Sequence, residues 1–419
     1  MSETAKHLKE TKRELPNGWH WVRLGEVAST ISKGTTPTTL GLQYTDVGIP
    51  FLRAEDVNGW AIEVDKVAFH ISNDADEVLS RSRLLPGDFL ITIAGTLGRV
   101  GFVPPKVPHL NCNQAVAFAR IDQSKVDVQY LCFACSLEHL IAPLLDQKAG
   151  GALQNLNLQQ SRCLCIPLPP LQEQQRIAGV LREQMVVVNK SRAAAQARLS
   201  AIKALPAAFL RQVFPQLGQP LPNGWRWAKL REVADVVNGF GFAESLQGRT
   251  DLPYPFIKVS DMNAPGAEIV IEKAANTVDD EILRHLGARC YPQGTVVFPK
   301  VGGALLTNKK RVLGRDSSFD NNIMGVVPRH TESEFLYYWL CTIDMAVHAN
   351  TQALPSIRQS LVASFEIPLP QMPEQRRIVG VLREQIAAVE KARTAAEAEL
   401  NTINALPAAL LRRAFNGEI

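Results

Sequence analysis

The densest concentration of hydrogen-bonding cations in the chain is Asn308-Lys309-Lys310-Arg311, close behind Lys300 and Gly302-Gly303. Arginine and lysine can pair with guanine acceptors, and asparagine or glutamine with adenine, on base edges in a major groove. The same groups, with hydroxyls and free backbone amides, contact phosphates. A matching set lies in the first half. Ser32-Lys33-Gly34-Thr35-Thr36-Pro37 combines hydroxyls, one cation and exposed backbone, and Gly95-Thr96-Leu97-Gly98-Arg99 is a flexible basic loop. Single side chains of the same chemistry are Arg53, Asn113, Gln114, Gln154, Lys258, Asn321, Asn322, Gln352 and Arg358. For any one of them the competing role is a turn cap or a solvated surface group, so the loops as groups are the stronger candidates. The chemistry on offer is non-covalent recognition of nucleic acid.

Residue sets for bond-making are missing. Asn238-Gly239-Phe240-Gly241-Phe242 lacks the third glycine and the spacing of a methyltransferase's cofactor loop, and no G-x-x-x-x-G-K-[ST] phosphate loop occurs. His70, His109, His139, His285, His330 and His348 are scattered without metal-ligand spacing. Cys132 and Cys135 form a C-x-x-C that Cys163 and Cys165 could complete as a zinc site. The stronger reading is a core helix. Tyr130, Leu131, Phe133, Leu137, Leu140 and Ile141 surround the first pair, and free cysteine packs there as a small hydrophobe. The expectation is a binder with no catalytic residues and no metal.

These loops are carried by a frame that the chain contains twice. Leu15 to Ala28, LPNGWHWVRLGEVA, returns as LPNGWRWAKLREVA from Leu221 to Ala234. Ile166 to Phe214 returns as Ile367 to Phe415, with roughly 30 of about 49 positions identical, far beyond chance for a period near 200 residues. The segments between have diverged much further. Ile49 to Val57 still aligns with Tyr254 to Met262, and Arg83 to Ile93 with Arg289 to Lys300. Asn113-Gln114 and Asn321-Asn322 precede matching apolar strands, and GGALQNLN near Gly150 corresponds to TQALPSIR near Thr351. Short β-branched runs bounded by Pro-Gly turns make both inserts strand-rich.

After Ile166 to Pro170 comes a long stretch of helix-forming residues, with Glu173 in the first turn where a carboxylate suits the helix dipole. Its apolar positions alternate in threes and fours: Ala178, Leu181, Met185, Val188, Arg192, Ala195, Leu199, Ile202. The second copy repeats them as Val379, Leu382, Ile386, Val389, Arg393, Ala396, Leu400, Ile403. Two such seams, each interrupted by an arginine, predict a coiled coil of two long antiparallel helices; the alternative is a single amphipathic helix lying on each domain. Each rod is expected to end near Pro206 or Pro407, which open short second helices. The fold class is thus α+β: two strand-rich α/β domains separated by the helix pair, with an internal pseudo-two-fold repeat. The expected boundaries are a loose tail over 1–14, domains over 15–165 and 221–366, and helical spacers over 166–220 and 367–419.

Bulk properties agree. A chain of 419 residues suits several domains, and the seven cysteines lack a disulfide-scaffold spacing, which suits a reducing cytoplasm. No apolar run approaches a membrane span and the start is polar, so neither a signal peptide nor a membrane location is expected. Net charge is +4, which permits local binding patches but supplies little attraction overall.

With those residues in view, the chain resembles the specificity subunit of bacterial type I restriction–modification systems. The likeness rests on LPNGW-x-W-x-x-L in each half, the GTTP loop, IPFLRAEDV, LLPGDFLITIAGT, and IPLPP-L-x-EQ-x-RI leading into the long helix. Asn238-Gly239-Phe240-Gly241 departs from it, standing where the first half has KGTTP. The resemblance implies two target-recognition domains reading the halves of a bipartite double-stranded DNA site, with the helices setting the gap. It implies partners too: two modification subunits carrying S-adenosylmethionine, and restriction subunits with an ATP- and Mg-dependent motor and nuclease. No cofactor is expected on this chain. The rival reading is a scaffold whose two inserts bridge protein partners, favoured only by the modest net charge.

Overall fold

The computed structural model describes residues 15–57, 60–107, 109–145, 156–350 and 354–419. The expected tail, Gln154 and Gln352 lie outside them. The chain forms two compact units: residues up to Ala195 with Glu399–Ile419, and Gln196–Ala398.

In the first unit, strand β1 (His20–Arg23) leads into β2 (Ala28–Lys33), the edge of a four-stranded sheet. Strands β3 (Ile49–Leu52), β4 (Phe89–Thr92), β5 (Val100–Phe102), β6 (Leu110–Cys112), β7 (Val116–Ile121) and β8 (Cys165–Leu168) follow. The sheet order is β2-β7-β4-β5, all antiparallel. A smaller mixed sheet places β3 parallel to β6, and β1 pairs with β8. Strand β4 is buried along its whole length, which is why it reads as the continuous run FLIT. Helix α1 (Val128–Cys135) covers the sheet; the Asp127 side chain accepts from the Tyr130 amide at 2.9 Å as its N-cap. Cys132 and Cys135 are buried on it, in the same core as Tyr130 and Phe133, as the helical reading expects.

The second unit repeats the plan. Its strands are β9 (Arg226–Lys229), β10 (Ala234–Asn238), β11 (Tyr254–Ile257), β12 (Val296–Pro299), β13 (Arg311–Leu313), β14 (Ser318–Phe319), β15 (Ile323–Pro328) and β16 (Glu366–Leu369). The order β10-β15-β12-β13 matches the first sheet, with Val270–Ile271 added at the edge; β11 runs parallel to β14, and β9 pairs with β16.

The two rods are α2 (Leu171–Val213) and α5 (Met372–Phe415). Seam positions Leu181, Met185, Val188 and Leu199 are buried, whereas Val186 and Val187 beside them are each 63% exposed, as the spacing requires. In the second rod Leu382, Val389 and Ala396 are buried, and Ile386, Leu400 and Ile403 are half-buried. Within each unit, segments of the two rods run antiparallel. In the first, Arg192 Nε donates to Asn404 Oδ1 at 2.9 Å and Arg176 reaches the Ile419 carbonyl at 2.5 Å. In the second, Lys203 pairs with Glu397 at 3.2 Å. The two expected breaks do not occur. Both rods run through their prolines, Pro206 and Pro407. A proline inside a helix costs about 3 kcal/mol, and burial beyond it offsets this: Leu210 and Phe214 enter the second core beside Phe335, and Leu411, Ala414 and Phe415 enter the first.

A repeated glutamine ties each rod to its own domain. Gln174 Oε1 accepts from the Asp127 amide at 2.9 Å, and its Nε2 donates to the Lys125 and Pro169 carbonyls. Gln375 does the equivalent with the Glu332 amide at 2.8 Å and the Pro370 carbonyl at 2.9 Å. Glu332 N-caps helix α3 (Ser333–Cys341), the partner of α1. No helix among the described residues is long and apolar enough to cross a membrane.

Candidate nucleic-acid interface

Strand register decides which loops meet. In the first unit Lys33 lies opposite Ala117, Ala117 opposite Ile91, and Ile91 opposite Val100. The C-terminal ends of β2 and β4 and the N-terminal ends of β5 and β7 therefore share one rim of the sheet. The Thr35 amide donates to the Cys112 carbonyl, the Ile93 amide to Ala115, and the Asn113 amide to Leu52, the residue before Arg53. Ser32, Lys33, Gly34, Thr35, Thr36, Arg53, Thr96, Arg99, Asn113 and Gln114, spread over some eighty residues of sequence, converge on this rim.

Their individual roles differ. Lys33, Thr96 and Gln114 are exposed. Arg53 is half-buried, paired with Glu55 at 3.0 Å and lying 4.6 Å over the Phe69 ring. Asn113 Oδ1 accepts from the Ala115 amide, and the Arg99 amide donates to Thr92 Oγ1 at 2.9 Å. Gly34 is buried for a packing reason: a Cβ there would lie 2.0 Å from the Cys112 carbonyl oxygen. Gly239 is its counterpart, with the Asp320 carbonyl oxygen at 2.0 Å, so Asn238-Gly239 keeps the backbone path that KGTTP follows.

The second unit builds the corresponding rim. Asn238 lies opposite Met324, and Met324 opposite Phe298, which brings together the end of β10, the start of β15 and the end of β12. Lys300, Asn321 and Asn322 meet there; the Lys300 amide donates to the Asn322 carbonyl at 2.8 Å. Lys258 follows β11, whose Ile257 carbonyl accepts from Asp320, and its Nζ donates to Gln247 Oε1 at 3.0 Å. Arg358 follows Ile357, whose amide donates to the Lys300 carbonyl, and opens helix α4 (Gln359–Ala363). Burial pulls the Lys300 ammonium below lysine's ordinary value, opposed by Asp320. Burial also raises the Asp320 carboxyl, against the Asn322 amide that hydrogen-bonds it.

The basic run at 308–311 is less open than its composition predicts. Lys310 is 3% exposed, with Nζ donating to Asn308 Oδ1 at 2.6 Å and to the Ile343 carbonyl at 2.7 Å. Burial brings its ammonium down to about 8. The Arg311 guanidinium donates to the Lys310 and Met262 carbonyls, and Lys309 bonds Asn263. Asn308 holds a left-handed backbone at φ 56° and also accepts from the Met345 amide. As an outward contact Lys310 is excluded by its burial; it serves to hold the loop. Conversely, two rim residues outside the candidate set, Asn238 and Gln359, are hydrogen-bonded to each other at 2.5 Å. The alignment of Asn238-Gly239 with Lys33-Gly34 was the available signal for the first.

Each rim is an open shelf of donors and acceptors carried on a rigid sheet, suited to lying against a polar, anionic surface. Among the described residues no cluster of three or more His, Cys, Asp or Glu side chains could hold a metal ion.

The chain belongs to the family described as type I restriction modification DNA specificity domain, whose model matches residues 16–184 and 222–400. Among relatives, the type I restriction enzyme MjaVIII specificity subunit of Methanocaldococcus jannaschii is 20% identical over 421 residues, covering 90% of this chain and 91% of that protein. The EcoBI specificity subunit of Escherichia coli is 27% identical over 201 residues, 48% of this chain and 40% of that one. Among solved structures, the HsdS subunit of Thermoanaerobacter tengcongensis is similar with a TM-score of 0.60 and 24% identity, covering 98% and 99% of the two chains. A chain from work on complex assembly and conformational transition of the type I R-M system aligns with a TM-score of 0.78 and 23% identity, covering 97% and 100%. The duplicated fold is the one those structures have.

Proposed function

We propose that the domains at 15–165 and 221–366 each read one half of a bipartite, asymmetric double-stranded DNA sequence through the loop rim of their sheets, and that α2 and α5 set the gap between the halves. The observation that carries this reading is the paired rims: one frame, used twice, gathers loops of unlike sequence at the same end of the same sheet. Shared main-chain geometry with different side chains is what two readers of different half-sites need. The relatives are named as specificity subunits, and one structural neighbour comes from a type I assembly. By extension this chain does no chemistry of its own and directs two modification subunits that hold S-adenosylmethionine, and restriction subunits that use ATP and Mg.

Replacing residues 29–165 with the corresponding insert of a relative, in cells that also make the modification subunits, is expected to change one half of the methylated motif and leave the other intact. Long-read methylation mapping reads this directly. A change in both halves, or in neither, would remove the modular reading. A bridging scaffold would leave no sequence-dependent methylation to map.

A further inference from the structure

Lys300 occupies a position that the two copies of the frame use differently. Its main chain makes the bonds that Ile93 makes in the first unit. The Ile93 amide donates to Ala115 at 2.8 Å and its carbonyl accepts from Leu156 at 2.9 Å; the Lys300 amide donates to Asn322 at 2.8 Å and its carbonyl accepts from Ile357 at 3.0 Å. The side chains part company. Ile93 is buried in the apolar core. The Lys300 ammonium instead donates to Asn238 Oδ1 at 2.7 Å. Asn238 Nδ2 donates to Gln359 Oε1 at 2.5 Å, and Gln359 Nε2 donates to the Val236 carbonyl at 2.6 Å. An amide relay anchored on the main chain of β10 thus fixes the direction of a cation on the rim. An ammonium has three donor protons, and the relay takes one.

A cation that only neutralises phosphate needs no fixed direction, and a shared frame has reason to keep such a contact in both copies. A cation aimed by neutral amides, present in one copy alone, has the properties of a base reader. We infer that Lys300, positioned by Asn238 and Gln359, recognises a guanine in the half-site of the second domain through its N7 and O6 acceptors. The inference rests on the proposed reading of the domains as DNA readers. In that role Lys300 touches the base, and Asn238 and Gln359 act through it.

The test uses the full chain in complex with its modification subunits. Selection from a randomised duplex library gives the preferred motif, and each guanine in it is then replaced singly by 7-deazaguanine, which lacks the N7 acceptor. The wild type is expected to lose roughly 10-fold in affinity at one guanine of one half-site, the scale of a paired lysine–guanine contact. Lys300→Met should lose its preference at that base pair, become indifferent to that 7-deazaguanine, and keep the other half-site unchanged. Because the equivalent position of the first domain holds isoleucine, an apolar side chain is compatible with this backbone. Gln359→Leu, which leaves the contact atom in place, should weaken the same preference about 3-fold without altering salt dependence. If Lys300→Met instead weakens all sequences equally and lowers the salt slope by about 1, Lys300 is a phosphate contact and the inference is overturned. A motif unaffected by Lys300→Met also overturns it and leaves the specificity reading standing. No enriched motif with the wild type overturns both.

Discussion

Asp88, in the turn before β4, has a carboxylate that accepts from the Leu85 amide at 2.8 Å and lies 3.5 Å from Arg120. Burial raises its carboxyl to about 6, against the opposing pull of the Leu85 amide and Arg120. A folded-state value above the ordinary 3.8 means the fold prefers the protonated form. The stability Asp88 contributes is therefore complete below about pH 4 and is lost as pH rises through about 6, by roughly 3 kcal/mol at most. Asp88→Asn keeps the bond from Leu85 and should remove this component, so urea melts of wild type and variant should diverge between pH 4 and 7. At Gly34 and Gly239 the residue type is set by space alone. Gly34→Ala and Gly239→Ala should each cost about 3 kcal/mol, because the colliding atoms are backbone carbonyls that cannot rotate away; thermal melts check this. Sequence chemistry singled out Gly34 as a member of a contact loop, and only the neighbouring strand explains why it is glycine.

Gln174 and Gln375 show how an element is seated. Each is buried, and each joins the first turn of a rod to the N-cap of the helix covering its own sheet. Gln174→Leu would leave the Asp127 amide and the Lys125 and Pro169 carbonyls without partners, at about 1–3 kcal/mol. The expected outcome is a lower melting temperature together with loosened protection of the α1 amides in hydrogen exchange; unchanged exchange there would show that the clamp is dispensable. The seam arginines add an asymmetry. Arg192 donates to Asn189 and Asn404, whereas Arg393 sits between Glu390 and Glu397, and Glu397 also meets Lys203. At position 203 the first copy has lysine where the second has Asn404, and a carboxylate stands by to pair with it. The heptad spacing was legible in sequence; the persistence of both rods through Pro206 and Pro407 was not, because local propensity argues for a break and burial of Phe214 and Phe415 outweighs it.

For the molecule as a whole, the proposed role of the rods is metric. Inserting one heptad between Ala178 and Ile202, matched by one between Val379 and Ile403, lengthens each rod by about 10 Å, or roughly three base pairs of duplex. The methylated motif is expected to keep both half-sites and widen its gap, as read by methylation mapping. Altered bases with an unaltered gap would separate the helices from spacing.

Periodicity and repetition are properties of residue order, so the duplicated frame, the seam at Leu181 to Ile202 with its repeat at Leu382 to Ile403, and the strand-rich inserts could be read from the chain alone. The membership of each rim could not, because it depends on register between strands far apart in sequence. That register brings Lys33, Arg53, Arg99 and Asn113 to one edge, and Asn238, Lys300 and Gln359 to another. Residue type likewise could not distinguish Lys310, whose donors are turned inward to the Asn308 and Ile343 oxygens, from Lys300, whose ammonium is aimed along the rim by two amides. Charge is written in the sequence, but whether a charge faces solvent or satisfies a buried carbonyl is decided only when the strands close around it.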